Sequence, residues 1–219
     1  MSTAAPTVPA ADVIDLLAGI APGSPLARTR DQRPQARENA QRSFEALLEP
    51  ADPGEFGHAE RYAVALFTAR LHGFERAAAF YADLLADQSD DTLPAAVEDA
   101  ARAAASTGPS GTYREPGLAA ESAPATAWTP DPGLAAALGP RLSAALAHTH
   151  LLVFRPREAS PAALRALVEA GWSADHVVSL SQLVAFLSFQ LRTAWGLSVL
   201  QSHPATHPTH PTTATEATR

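Results

Sequence analysis

The chain of 219 residues contains no cysteine. Disulfides, thiolate metal sites and thiol nucleophiles are therefore excluded, and cysteine usage says nothing about redox compartment. Lysine is absent as well: all 16 basic residues are arginine, and the formal net charge is −7. The arginines are scattered. A nucleic-acid interface needs basic side chains gathered on one face, so nucleic acid is not expected as a partner. Aromatics are sparse, with three tyrosines and three tryptophans. No uninterrupted apolar run reaches the roughly 18 residues that would span a bilayer, so no membrane contact is expected. The opening MSTAAPTVPAADVIDLLAGI lacks a charged first region and a long apolar core. It is expected not to be a signal peptide, and a cytoplasmic location is expected.

What the chain has in quantity is alanine and leucine, with few β-branched runs. That composition favours closely packed helices, and the pattern predicts an all-α fold with no strand. Residues 1–11 read as a flexible N-terminus. A short helix follows, with Val13, Leu16 and Leu17 on one face and Gly19 as its stop. APGSPLARTRDQRP reads as a loop. The next helix faces Ala36, Ala40, Phe44, Leu47 and Leu48 inward and ends at Pro50. Val64, Phe67, Leu71, Phe74, Ala78, Tyr81 and Leu85 then step by three and four residues, predicting a long helix pair that pauses or bends at Leu71-His72-Gly73. LPAAVEDAARAAA predicts a further helix.

Residues 106–132 are rich in proline, glycine, serine and threonine, predicting a long irregular connection. Such a segment, when ordered, often covers a site or reaches another subunit. Pro140 is placed as the first residue of a helix through RLSAALAHTHLLVF, and Ser160-Pro161 starts another. Ser173 caps a long last helix. Its Val177, Leu180, Val184, Leu187 and Leu191 stripe is joined by Phe186, Phe189 and Trp195 on other faces, which predicts burial nearly all round. Residues 202–219 read as a disordered tail, leaving 12–201 as the helical domain.

Two stretches carry a resemblance: AERYAVALFTARLHGFERAAAFYADLL and LRALVEAGWSADHVVSLSQLVAFLSFQLRTAWGL. Together they resemble the carboxymuconolactone decarboxylase/alkylhydroperoxidase-D superfamily, within its cysteine-less branch near the peroxidase-related proteins. The second stretch is similar to a closing F-x-F-x-x-R-x-x-x-G-L phrase running from Phe186 to Leu197. The resemblance implies a kinked helix pair, a C-terminal buried helix and a homo-oligomer that buries such helices between subunits. In the peroxidase branch a C-x-x-C-x-x-x-H motif follows the kink, and its two thiols attack and resolve the peroxide. Here Phe74 and Ala77 occupy the two cysteine positions and Tyr81 the histidine position. Glu60 lies near the acidic position, about half a turn off. Thiol peroxidase chemistry is excluded for this chain. The decarboxylase branch resembles G-x-x-x-E-W-x-x-H at the same place. Gly73 fits it, but Ala77 and Tyr81 replace the glutamate and histidine.

Each remaining candidate has a bland and a sharp reading. His72 either caps a helix end or acts as an acid/base group with a positioned partner. Tyr81 is either a core aromatic with one hydrogen-bond partner or part of a displaced acid/base set. Glu60 either complements a helix dipole or is a buried carboxylate. His148 and His150, two residues apart on a helix, diverge and make a weak metal pair. His203, His207 and His210 read as solvated tail residues. Gln190 and Arg192 sit in an apolar helix where a charge must be paired, with Glu60 or a neighbouring subunit's carboxylate as partner; the alternative is a clamp for a substrate carboxylate. No metal and no cofactor are expected.

The expectation is therefore a degenerate member of that superfamily, acting as a binding or assembly partner of a cysteine-bearing homologue. The alternatives are a non-thiol enzyme using Glu60, His72 and Tyr81 on a small hydrophobic acid or lactone, and an inert helical scaffold. A polar pocket beside Gly73 favours the enzyme; Phe74 and Tyr81 plugging that space favours the other two.

Overall fold

Proline, serine, aspartate and glycine punctuate this chain, and the helices begin and end on them. The computed structural model describes residues 12–124 and 126–203, with nine α-helices and two short 3-10 turns. Among the described residues there is no strand, only one antiparallel bridge between Gly111 and Ala123. The expectations for residues 1–11, and for the tail beyond His203 including His207 and His210, fall outside the described residues.

The first helix, α1 (Val13–Ala18), is capped by Asp12, whose carboxylate accepts from the Ile14 and Asp15 amides, and Gly19 closes it at φ 71°. Val13, Ile14 and Leu17 are buried, whereas Leu16, expected on the inner face, points to solvent. The loop expected at residues 21–34 is instead interrupted by α2 (Pro25–Asp31). Ser24 accepts from the Ala27 amide and Pro25 takes the first helical position, where proline is compatible with a helix rather than a breaker. Next comes α3 (Pro34–Leu48), burying Ala40, Phe44 and Leu48 while Ala36 stays exposed. Arg30 and Arg37, from α2 and α3, converge on Asp12 and Asp15, with Arg37 Nη2 2.6 Å from Asp15 and Arg30 Nη1 3.2 Å from Asp12. The network ties the first three helices together.

At the centre lies α4 (His58–Leu71), followed by α5 (Glu75–Ala86) and α6 (Thr92–Ala103). Every residue of α4 from Arg61 to Ala69 is buried, because α5, α6, α7 and α9 surround it. A seam on one side would not have required this; the alanines between the large residues let helices approach from all sides. Arg61 is tolerated there because its guanidinium donates to the carbonyls of Phe56 (2.8 Å) and Leu47 (2.6 Å) and lies over the Phe56 ring.

The 106–132 connection is irregular apart from a 3-10 turn at Pro116–Glu121. It leads into α7 (Pro132–Phe154), which is two helices stacked end to end: Gly139 has φ 73° and ψ 164°, and Pro140 starts the second segment as its position predicts. After α8 (Pro161–Glu169), α9 (Ala174–Ser202) packs across α1, α3, α4, α7 and α8. By length and composition alone α9 would pass as a membrane-crossing helix. One side of it is built into the core. The other carries Val178, Phe189, Trp195, Val199 and Leu200 to solvent, so burial all round does not occur in the single chain.

Candidate functional site

The pause between α4 and α5 is a Schellman turn. Phe74 N–H reaches back to the Ala69 carbonyl (3.1 Å) and Gly73 N–H to Arg70 (3.0 Å), with Gly73 at φ 66°. Two distinct helices meet there rather than one bent one. The turn points Phe74, Ala77 and Tyr81 inward, and all three are buried. The space that would serve a reactive pair is thus filled. Tyr81 is wholly enclosed and its hydroxyl donates to Oε1 of Gln190, itself wholly enclosed in α9. Burial pushes the Tyr81 hydroxyl well above the usual phenol range, against the pull of that hydrogen bond. Nearby, Tyr62 faces Glu49, and burial with the carboxylate's charge pushes its hydroxyl up to about 12. Both tyrosine hydroxyls therefore keep their protons near neutral pH. Among the described residues Gln190 Nε2 has no partner.

His72 lies on the outer side of the same turn. Its Nε2 is 3.4 Å from the Ser188 hydroxyl, and burial followed by the positive charge of Arg192 pushes its pKa down to about 4. It is a neutral imidazole at physiological pH. Two clefts adjoin it. One of about 200 Å³ is bounded by His72, Phe74, Arg192 and Trp195; the other, about 340 Å³, by His72, Arg192 and the chain from Ser106 to Pro109. Arg192 is exposed, contrary to the buried charge expected, because it belongs to the solvent side of α9. Among the described residues it makes no ion pair.

Glu60 is elsewhere. Twelve residues separate it from His72, which places it about 18 Å away along the axis of α4. Its carboxylate takes Arg141 Nε at 2.8 Å, not Arg192. Arg141 also donates to the carbonyls of Gly171 (2.8 Å) and Glu55 (3.1 Å) and stacks over Trp172, whose indole N–H donates back to the Arg141 carbonyl at 3.0 Å. This cluster fastens α4 to α7 and to the turn before α9. The structure therefore separates the three acid/base candidates: Tyr81 with Gln190, His72 with Ser188 and Arg192, Glu60 with Arg141.

A further cavity, about 390 Å³, opens between α7, α8 and the end of the irregular connection. Trp128 forms one wall, held in turn against Phe67 and His150 at ring-centroid distances of 5.4 and 5.8 Å. Ser143 and His148 line it from one face of α7 together with Ala144 and Ala147, and Arg155 from the cap that ends the helix. His148 and His150 diverge as their spacing requires: His148 Nε2 meets the Ser181 hydroxyl at 3.2 Å, while His150 packs between Trp128 and Phe154. None of Ser143, Arg155 or Trp128 stood out in the sequence. The visible signal was the run of alanines on the same face of α7, which leaves room that Ala163 and Ala166 of α8 do not fill. No family model, no curated protein and no solved structure matches the chain.

Proposed function

We propose that the protein is a helical assembly partner of the carboxymuconolactone decarboxylase/alkylhydroperoxidase-D type, cytoplasmic and without redox chemistry of its own, which pairs through α9 with a second copy of itself and with a cysteine-bearing relative. The observation that carries the reading is the solvent side of α9. Val178, Gln182, Ala185, Phe189, Arg192, Gly196 and Val199 recur at alternating steps of four and three, the period of a two-helix seam. Val178 is 56% exposed, Phe189 53% and Trp195, beside the stripe, 56%. Large apolar groups left open in such a row mark an interaction face.

The stripe is also self-complementary. An antiparallel pair centred on the exposed face between Ala185 and Phe189 sets Phe189 against the partner's Ala185, Val178 against the partner's Gly196, and Arg192 against the partner's Gln182. Each large side chain meets a small or polar one, as a two-fold interface requires. The packing of Phe74, Ala77 and Tyr81 into the core supports the non-redox half of the reading.

Light scattering on the full chain at about 50 µM should give twice the 22.9 kDa chain mass. F189E and A185F should each return it to a monomer with unchanged helicity. A tagged chain should retain a C-x-x-C-bearing helical protein from cell extract, and F189E should release it. A wild-type monomer with no such partner overturns the proposal.

A second reading has one observation in its favour: the neutral His72 beside Arg192, which makes no ion pair among the described residues, with a cleft on either side. That pair suits acid–base chemistry on a small hydrophobic acid or lactone. Turnover of such compounds that is lost in both H72Q and R192Q would establish it, and none would retire it.

A further inference from the structure

Side chains of a folded protein normally fill the space between its elements, and voids much larger than a water molecule are few. The cavity of about 390 Å³ between α7, α8 and residues 127–130 departs from that rule, and the choice of side chain is the reason. Ala144 and Ala147 of α7 line it together with Ala163 and Ala166 of α8, and Ala135 joins them from the first segment of α7. A leucine at Ala147 or Ala163 would occupy much of the space. The two helices do not close on one another either, for α8 buries only Leu167 of its 9 residues.

The polar residues of the wall are turned to other tasks. Ser143 Oγ, His148 Nδ1 and Arg155 Nε are enclosed and closed off from the cavity. His148 Nε2 meets the Ser181 hydroxyl at 3.2 Å, and the Arg155 guanidinium is held by Glu158. What the cavity meets is therefore mostly carbon: alanine methyls, Leu151, Pro130 and the indole of Trp128. That indole is a fixed wall. It packs against Phe67 and His150 at ring-centroid distances of 5.4 and 5.8 Å, and both of those rings are buried.

A charged molecule entering such a space gives up its water and finds no partner for its charge. An uncharged apolar molecule gains by leaving water, and an aromatic one gains further from a ring already held in place. Apolar cavities take apolar guests for the same reason. The volume is at the lower end of small-ligand sites, which sets the size at about two rings. We infer that the cavity between α7 and α8 is a binding site for an uncharged, apolar aromatic molecule, seated on the alanine faces of the two helices with a ring against Trp128. No residue of α9 lines the cavity, so the site stands whether or not the chain assembles as proposed above.

The test titrates 2-naphthol into the full chain labelled with ¹⁵N, with 2-naphthoate and 2-naphthylmethylammonium as charged molecules built on the same rings. The naphthol should shift the amides of residues 143–151 and 163–167 and the Trp128 indole N–H, saturating below about 1 mM. Both ions should bind about tenfold more weakly or worse. A147L and A163L fill the cavity from different helices, and each should weaken the naphthol about tenfold without loss of helicity or melting temperature. W128A removes the wall without filling the space and should weaken it as well. Absence of these shifts up to about 2 mM overturns the inference. Equal binding of the ions does so too, as does naphthol binding that survives both leucine variants. Shifts centred on residues 178–199 would place the naphthol on the exposed α9 stripe and overturn it equally.

Discussion

Tyr81 and Gln190 form a pair whose energetics can be worked out before any measurement. Both side chains are fully enclosed, the tyrosine hydroxyl donates to Gln190 Oε1, and Gln190 Nε2 has no acceptor among the described residues. Y81F removes the donor and leaves the whole buried amide unanswered, at a cost of about 1–3 kcal/mol. Q190L strands the tyrosine hydroxyl at a similar cost, but it also removes the orphaned amide nitrogen, which returns about the same amount. The single leucine variant should therefore sit near wild type. The double variant Y81F/Q190L leaves no unpaired polar atom and should match or exceed wild type. For a domain of this size about 3 °C in Tm corresponds to each kcal/mol, so Y81F should melt roughly 3–9 °C low and the second substitution should restore it. Urea and thermal unfolding followed by circular dichroism at 222 nm give all four corners of the cycle. If the double variant is as unstable as the two single changes summed, the pair is not the isolated polar contact described here and the reasoning fails.

His72 should show its burial in the acid limb of stability. Its folded pKa lies near 4, below the ordinary 6.5, so its contribution is fully present above pH 6.5 and is lost as pH falls toward 4. The shift implies about 3 kcal/mol, which partial exposure reduces to roughly 1–2 kcal/mol; urea midpoints at descending pH should fall less steeply in H72Q, and R192Q should raise the pKa read from the His72 ring proton. A His72 ring that titrates at its ordinary value in the wild type would refute this. D12A removes both the cap of α1 and the carboxylate shared by Arg30 and Arg37, and should lower unfolding free energy by about 2–4 kcal/mol; a loss under about 0.5 kcal/mol would show that the network contributes nothing.

Local chemistry made much of the helical architecture legible. The pause at Leu71-His72-Gly73 marked the junction of α4 and α5, Pro140 the start of the second segment of α7, and Ser160-Pro161 and Ser173 the starts of α8 and α9. The same logic missed α2, because Pro22, Pro25 and Pro34 read alike in sequence, whereas Pro25 and Pro34 each open a helix and only Pro25 does so behind a capping serine. Pairing over distance was not legible. Nothing local tells Glu60 to choose Arg141, 81 residues on, over Arg192. Burial of α9 was over-read for a related reason: apolar faces on every side say that something should cover them, but not whether the cover comes from the same chain. The cavity was hidden because an unfilled space depends on how α8 sits against α7, and alanines at helix spacing are compatible with close packing as well as with a void.

The complete burial of α4 has a consequence for how this protein can be studied. From Arg61 to Ala69 no residue is near solvent, so no small excursion of a loop or helix end uncovers those amides; they should exchange with deuterium only when the whole molecule opens. Their exchange rate then reads global stability directly. None of these residues lines the α7 cavity or belongs to the α9 stripe, yet a molecule bound at either place lowers the population of the open form and slows exchange in α4 by the factor 1 + [L]/Kd. The central helix is thereby a built-in reporter, equally sensitive to a small ligand and to a partner chain, and it requires neither to be identified in advance.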